Sequence, residues 1–271
     1  MKKTATQGGS GQSSNTVPIL PAFIDELQRL QPLETELALL PVGWGNKQKG
    51  PMLEGWQHHG GFTVAELQQQ RCMRSVGVRT GFKGPLLAFD FDGATSLTFG
   101  LNPATAGSWQ VHRNTDPARL KVLFRPTPEQ LEQLPGGAEF QGKTITAPKT
   151  DTAKGEALEV FFDGGRQVII LGEHPSSGGH YYWPDGMGPE AITAPPADWW
   201  QFAVEIAKAA QQRKLTGSKP SCNRHKTRRL NPCPFVFQHL REDIFNKVYH
   251  RFPRSLCNVQ LLVLLCRNLI F

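Results

Sequence analysis

Polar and apolar residues alternate along several short runs of this chain, a pattern that predicts half-buried β-strands. In LLAFDFDG, residues 86–93, alternation places the carboxylates of Asp90 and Asp92 on one face and three apolar side chains on the other. Neighbouring carboxylates repel each other unless a cation lies between them, and oxygen ligands suit Mg²⁺ or Mn²⁺. The run therefore predicts half of a divalent-metal site. The alternative is an ordinary turn after a strand.

Two further runs carry charge on one face of a predicted strand. RLKVLFRP, residues 119–126, places Arg119 and Lys121 together, and ALEVFF, residues 157–162, directs Glu159 away from its apolar neighbours. A half-buried strand seldom carries a Glu on its inner face without a partner. We expect these acidic and basic strands to converge on one polyphosphate site. Charged outer faces of a solvated sheet give the same pattern and remain the alternative.

A loop with phosphate-binding character follows the next predicted strand, which begins at Arg166 after an Asp-Gly-Gly turn. In this loop, HPSSGGHYYW, the backbone amides and the side chains of His174, Ser176 and His180 are suited to phosphate or sugar, and Tyr182 offers a face on which a base can stack. An ordinary hairpin with aromatic residues packed beneath it is the alternative.

Helical periodicity is sparse. It predicts short helices over Asp25–Leu33 and Ala65–Arg71, and a longer one over residues 198–214, DWWQFAVEIAKAAQQRK. With the strands, these elements predict an α+β domain over residues 19–214, in which mixed or antiparallel sheets are flanked by helices. Residues 1–18 are rich in Gly, Ser, Thr and Gln, which predicts a disordered leader rather than a secretory signal, and hence a cytoplasmic protein.

Charge is unevenly distributed along the 271 residues. Residues 1–214 contain 20 Lys and Arg against 21 Asp and Glu, whereas residues 215–271 contain 10 against 2, so the net charge of +7 divides into −1 and +8. The predicted domain is not basic as a whole. Attraction to nucleic-acid phosphates must therefore come from local patches or from the tail.

The tail, residues 215–271, differs from the domain in other ways. It contains four of the five cysteines, but no Cys-x-x-Cys pair that would anchor a zinc ribbon. Its apolar end is too short to span a membrane. We interpret the tail as an irregular segment, a degenerate or frame-shifted remnant in which the reading frame departs from the ancestral one, so that a downstream zinc and helicase region is missing.

In their order, these motifs resemble the bifunctional DNA primase/polymerase domain of the archaeo-eukaryotic primase superfamily. A Lys-x-Pro then Trp element is seen in Lys49, Pro51 and Trp56, and SVGVRTG, residues 75–81, supplies Arg79. The Asp-x-Asp strand, the basic strand, the strand bearing the third carboxylate and the loop HPSSGGHYYW follow in order. The resemblance covers roughly residues 35–200 and implies a primase-like α+β fold.

The resemblance also implies a chemistry. Asp90, Asp92 and Glu159 would bind two Mg²⁺ or Mn²⁺ ions that activate a 3′ hydroxyl and bridge a nucleoside triphosphate, for synthesis on a DNA template beside a helicase domain or protein. It assigns nucleotide binding to Arg119, Lys121, Arg166, His174, Ser176 and His180, and weaker substrate or template contact to Lys49, Arg79 and Tyr182. The family's middle strand carries a His, where this chain has Arg119 and Lys121.

Two other functions fit parts of the sequence. Asp90-Phe91-Asp92-Gly93 also resembles the nucleophile motif of haloacid dehalogenase-like phosphatases, although Ala94 stands where those enzymes have Thr. The replacement of the middle His and the unusual tail instead favour a nucleic-acid-binding remnant that no longer catalyses.

Overall fold

The computed structural model describes residues 21–45, 48–81, 84–174 and 178–216. They belong to one compact unit, Met1–Lys219. The predicted leader lies outside the described residues, as does nearly all of the predicted tail.

Within the described residues the chain forms ten strands, four α-helices and six short 3₁₀ helices. The strands are β1 (Leu39–Gly45), β2 (Gln48–Pro51), β3 (Ser75–Arg79), β4 (Leu87–Asp92), β5 (Trp109–Arg113), β6 (Arg119–Phe124), β7 (Phe140–Ala147), β8 (Glu156–Phe162), β9 (Gln167–Glu173) and β10 (His180–Tyr182). The α-helices are α1 (Pro21–Gln28), α2 (Val64–Gln68), α3 (Pro128–Leu131) and α4 (Ala197–Leu215). The 3₁₀ helices are Gln31–Leu33, Trp56–His58, Ser96–Thr98, Pro103–Thr105, Pro135–Gly137 and Pro189–Ala191.

All ten strands join one curled sheet in the order β2-β1-β3-β9-β10-β5-β6-β4-β8-β7. Every neighbouring pair is antiparallel. The predicted α+β primase-like fold, with sheets flanked by helices, was therefore wrong, because the domain is mainly β. The reason lies in the short helices. Helix α1 has 8 residues and α2 has 5, so although Leu27 and Leu67 pack into the core, these helices only supplement a ten-stranded sheet.

The sheet has an apolar cluster on each face, and β4 contributes to both. Phe89 and Phe91 belong to the cluster that includes Trp199 of α4. Ala88 belongs to the other cluster, which lies among β1, β3, β5 and β9. Alternation then places Asp90 on the same face as Ala88. The predicted division of this strand into an apolar and a carboxylate face is confirmed.

Helix α4 begins and ends close to the predicted positions. Trp199, Ala203 and Ala207 are spaced four residues apart and are all buried, which is the core-facing stripe of an amphipathic helix. The helix packs on β7 at Gly142, where a Cβ atom would collide with the side chain of Ile206. Within the described ranges, no helix combines the length and apolar content needed to cross a bilayer.

Candidate functional site

The register of four neighbouring strands places charged residues in one row across the sheet. On β4, Asp90 lies opposite Lys121 of β6 on one side and opposite Glu159 of β8 on the other. Glu159 in turn lies opposite Lys143 of β7. Directly opposed residues have Cβ atoms about 4.5–5.5 Å apart and project from the same face. The row therefore reads Lys121, Asp90, Glu159, Lys143, with two carboxylates at its centre.

A second row lies one step further along the strands. Asp92 of β4 lies opposite Arg119 of β6. Since Asp92 is two residues from Asp90, it projects from the same face. The structure thus brings Asp90, Asp92 and Glu159 onto one surface, together with the cations that the sequence placed on the basic strand.

Each of the three carboxylates is paired with a cation from a neighbouring strand. Lys121 Nζ lies 3.6 Å from Asp90 Oδ1, and Lys143 Nζ lies 2.5 Å from Glu159 Oε1. Arg119 donates from Nη1 to Asp92, and its Nε lies 3.0 Å from Asp116. The mutual repulsion of the carboxylates is therefore offset by cations that the chain itself supplies.

The pKa values of both lysines report their surroundings. Burial by itself lowers the pKa of Lys121, but the charges of Asp90 and Tyr181 and the hydrogen bond of Asp90 together outweigh it, so the net shift is upward. The pKa of Lys143 is raised mainly by its hydrogen bond to Glu159, and the charges of Asp92 and Asp90 raise it further. The pKa of Lys143 is therefore raised by all three carboxylates, which indicates that the three lie close together.

The charged rows border the apolar core directly. Ala88, two residues before Asp90, lies opposite Leu123 of β6 and Phe161 of β8. Ala88 and Leu123 are fully buried in the core cluster, and Phe161 packs against it. Two residues along a strand span about 6.6 Å, so Asp90 lies about that far from Ala88. Charged side chains so close to the apolar core are screened less than charges in water, which strengthens their electrostatic interactions.

A second group of polar side chains adjoins Lys121. Arg113 of β5 donates from Nη2 to Asp116 at 2.6 Å, and its Nη1 lies 3.1 Å from His174 Nε2. A guanidinium can only donate, so His174 Nε2 is the acceptor in this pair. The Lys121 ammonium lies 4.8 Å from the centre of the Tyr181 ring, a cation–π distance. Arg113 Nε is buried and has no hydrogen-bond partner among the described residues.

The other predicted nucleotide contacts divide into two groups. His174 is buried beside Arg113, and Arg166 donates to Gln141 on the edge strand β7, near Lys143. His180 and Tyr182 alternate with Tyr181 along β10, and both are exposed. His180 Nδ1 lies 2.9 Å from the Asn114 amide. His174 and Arg166 thus lie near the charged rows, whereas alternation directs His180 and Tyr182 away from Lys121.

The remaining predicted contacts do not join this surface in the described residues. Arg79 is 2% exposed and donates from Nη1 to the carbonyl of Gln57, so it anchors the Trp56–His58 turn. Burial lowers the pKa of Arg79, and the charge of Glu139 opposes this shift. Lys49 lies in β2 opposite Trp44, but its side chain is outside the described part of the chain. Ser176 is also outside it.

Sequence reasoning missed three residues that the structure places at the site: Arg113, Lys143 and Tyr181. Alternation in WQVHR gives Arg113 the same face as Val111, which lies opposite Lys121, so a signal for it existed. Lys143 had little signal, because its strand, FQGKTITA, carries polar residues on both faces. For the aromatic contact the sequence predicts Tyr182, whereas the structure places its neighbour Tyr181 beside Lys121.

The three carboxylates suit a hard divalent cation by chemistry, because each offers oxygen donors on a shared face. In the described part of the chain, no group of three or more His, Cys, Asp or Glu side chains is arranged to hold a metal ion as it stands. Lysine and arginine side chains neutralise the carboxylates instead. A divalent ion at this face would therefore compete with Lys121, Arg119 and Lys143 for these carboxylates.

Comparisons with known proteins do not assign a family. No protein-family model matches the chain, and no curated protein matches it significantly. The resemblance to primase/polymerases therefore stays a prediction, and the geometry of the carboxylate face is the basis for the functional proposal.

Proposed function

We propose that the chain is a nucleotidyltransferase that joins nucleotides from nucleoside triphosphates in a template-dependent reaction. One observation carries this proposal: Asp90, Asp92 and Glu159 share one face of two paired strands, β4 and β8, with Lys121 and Arg119 on the strand to one side and Lys143 on the strand to the other. Phosphoryl transfer depends on positioning and on neutralising charge rather than on covalent chemistry by the protein. Acidic and basic groups held side by side meet both needs.

The carboxylates of Asp90, Asp92 and Glu159 are the residues that would hold Mg²⁺ or Mn²⁺. When bound, such an ion neutralises triphosphate oxygens and lowers the pKa of the attacking 3′ hydroxyl. Lys121 and Lys143 flank the carboxylate pair within one row, so a triphosphate on this face lies between two permanent cations. Arg119 supplies a third cation from the adjacent row.

Arg119 and Lys121 lie on the strand where the primase/polymerase domains that the chain resembles have a His, and Lys121 together with Arg113 of the neighbouring strand β5 is best placed to contact a phosphate. Both lie largely beneath the surface, where interactions with an anion are stronger than in water. Arg113 Nε is a buried donor without a partner among the described residues, and such a group costs about 1–3 kcal/mol until it is satisfied. A phosphate oxygen would satisfy it if the Arg113 side chain turned towards the charged rows.

Replacing Lys121 by Ala is expected to weaken binding of a nucleoside triphosphate by about 1.5–3 kcal/mol, the range for a charged hydrogen bond. That corresponds to a rise in Kd of about 10- to 150-fold. The measurement is a titration of the protein into a fluorescent nucleotide in the presence of Mn²⁺, made at a temperature at which the melting curve shows Lys121→Ala to be folded, because this variant breaks the Lys121–Asp90 pair. Lys208→Ala is the control, because Lys208 pairs with Glu205 on the exposed side of α4. Unchanged affinity in Lys121→Ala, Arg119→Ala and the double variant would show that these cations serve only as ion-pair partners.

A second candidate is a nucleic-acid-binding protein without catalysis. It is favoured by the ion pairs, since each carboxylate already has a cation and no ready-made metal group exists in the described residues. The two candidates differ in one result. If the protein is catalytic, the wild type incorporates nucleotides and a Glu159 variant does not. If it only binds nucleic acid, the wild type itself incorporates no nucleotides.

A further inference from the structure

A cleft of about 610 Å³ opens between the edge of the sheet and the C-terminal end of α4. Its lining includes Glu159 and Lys143 of the carboxylate row, so the cleft is continuous with the proposed catalytic face. It also includes Arg166, at the turn before β9, and Arg213 and Lys214 in the last turn of α4. Cations from three separate elements therefore face one cavity.

The acidic groups of this cleft are already engaged. Glu139 accepts a hydrogen bond from the Gly164 amide at 2.8 Å, and Asp163 accepts one from the Gly165 amide at 2.8 Å. Glu159 is paired with Lys143. These carboxylates serve the β8–β9 turn and the edge strand, and with four cations against three carboxylates in its lining the cleft has a net charge of +1.

Three of the basic residues have no such engagement. Among the salt bridges of the described residues, none includes Arg166, Arg213 or Lys214. Arg166 donates from Nε to the Gln141 side chain, and Arg213 from Nε to the Ala209 carbonyl, and both bonds leave the net positive charge in place. All three side chains are exposed. They form an anion-attracting surface beside the carboxylate row.

We propose that this cleft binds the backbone of a single-stranded nucleic acid and leads that strand to the carboxylate face. The proposal rests on the proposed nucleotidyl transfer and names the place of the template. Cations drawn from β7, the β8–β9 turn and α4 suit the repeated charges of a strand better than the compact charge of one triphosphate. Phe161 lines the cleft and offers a ring on which an unpaired base can stack. The bases of a duplex are paired inside the double helix, so this contact favours a single strand.

The salt dependence of DNA binding tests this proposal in the full chain. Binding of fluorescein-labelled oligothymidylate is followed by anisotropy over a series of KCl concentrations, and the logarithm of the association constant is plotted against the logarithm of the salt concentration. Each phosphate contact contributes a slope of about −0.7 for single strands. Arg166→Gln and Arg213→Gln are each expected to make the slope shallower by about 0.7.

Lys208→Gln is the matched control. It removes one charge from the same helix, but Lys208 pairs with Glu205 and does not line the cleft. We expect its slope to equal that of the wild type. An unchanged slope in both arginine variants, or an equal change in Lys208→Gln, would overturn the proposal. Equal binding of polyglutamate, with the same response to the variants, would also overturn it by showing a general anion site.

Two readouts separate this proposal from the proposed catalysis. Without DNA, Arg213→Gln and Lys214→Gln should bind nucleoside triphosphate as the wild type does, and a loss there would assign the cleft to the nucleotide instead. Asp92→Asn, at a residue that does not line the cleft, should keep the wild-type salt slope whether or not the variant incorporates nucleotides. If Arg166→Gln lowers the melting temperature, Arg213→Gln and Lys214→Gln decide the outcome, because both residues lie in the exposed last turn of α4.

Discussion

Glu159→Gln is expected to reduce nucleotide incorporation by more than about 10²-fold, a loss typical of removing one group that stabilises developing charge in a transition state. The substitution keeps the size of the side chain and removes its negative charge. Glu159 is paired with Lys143, which is half exposed, and such pairs contribute only about 0–1 kcal/mol to folding. The variant should therefore remain folded. Incorporation of labelled nucleotide on a primed template, with Mg²⁺ or Mn²⁺, is the measurement.

Glu156→Gln is the matched control for this experiment. Glu156 lies on the same strand, but alternation places it on the opposite face, where its carboxylate accepts hydrogen bonds from Thr95. We expect Glu156→Gln to incorporate nucleotides as the wild type does. Full activity in Glu159→Gln, or an equal loss in Glu156→Gln, would contradict the assignment of the carboxylate face.

Asp90 is a less suitable position for the same test. Its partner Lys121 is largely buried, and removing one member of a buried ion pair leaves an uncompensated charge at a cost of about 3–5 kcal/mol. Asp90→Asn should therefore lose stability together with activity. The difference between Asp90 and Glu159 follows from their partners rather than from their own chemistry.

Trp199→Ala is expected to lower the free energy of unfolding by about 3–5 kcal/mol, the cost of deleting a large buried aromatic side chain. Trp199 is 1% exposed, and its ring centre lies 4.8 Å from that of Phe89 and 5.1 Å from that of Phe124. Phe89 precedes Asp90 directly, so a cavity there also loosens the strand that carries the carboxylates. Urea unfolding followed by circular dichroism measures the change.

Leu215→Ala is the control for this stability effect. Leu215 is in the same helix but is 80% exposed, and we expect its substitution to change the free energy of unfolding by less than about 0.5 kcal/mol. A loss below about 1 kcal/mol in Trp199→Ala, outside the range for buried aromatic residues, would show that α4 does not hold β4 in place.

Alternation predicted the strands of the site well. The predicted runs 86–93, 119–126 and 157–162 correspond to β4, β6 and β8, because strict alternation over five or more residues has few competing interpretations. The long helix was equally clear, and α4 extends one residue beyond the prediction at each end. Alternation and helical periodicity were therefore sufficient to place an element wherever it is long or its pattern is regular.

The pairing of strands could not be predicted in the same way. Alternation determines which face a side chain takes, but it does not say which strand lies beside which. That β4 lies between β6 and β8, so that Asp90 opposes both Lys121 and Glu159, depends on contacts distant in sequence. For the same reason the single ten-stranded sheet was missed, and short helical runs were given too much weight in the fold class.

Mn²⁺ binding in the presence of a non-hydrolysable nucleoside triphosphate tests the central claim most directly. Electron paramagnetic resonance counts the Mn²⁺ bound to the protein–nucleotide complex in the wild type, Glu159→Gln and Glu156→Gln. We expect bound Mn²⁺ in the wild type and in Glu156→Gln, and a clear loss in Glu159→Gln, because only Glu159 faces Asp90 across the β4–β8 pair. Equal Mn²⁺ binding in all three proteins would contradict it.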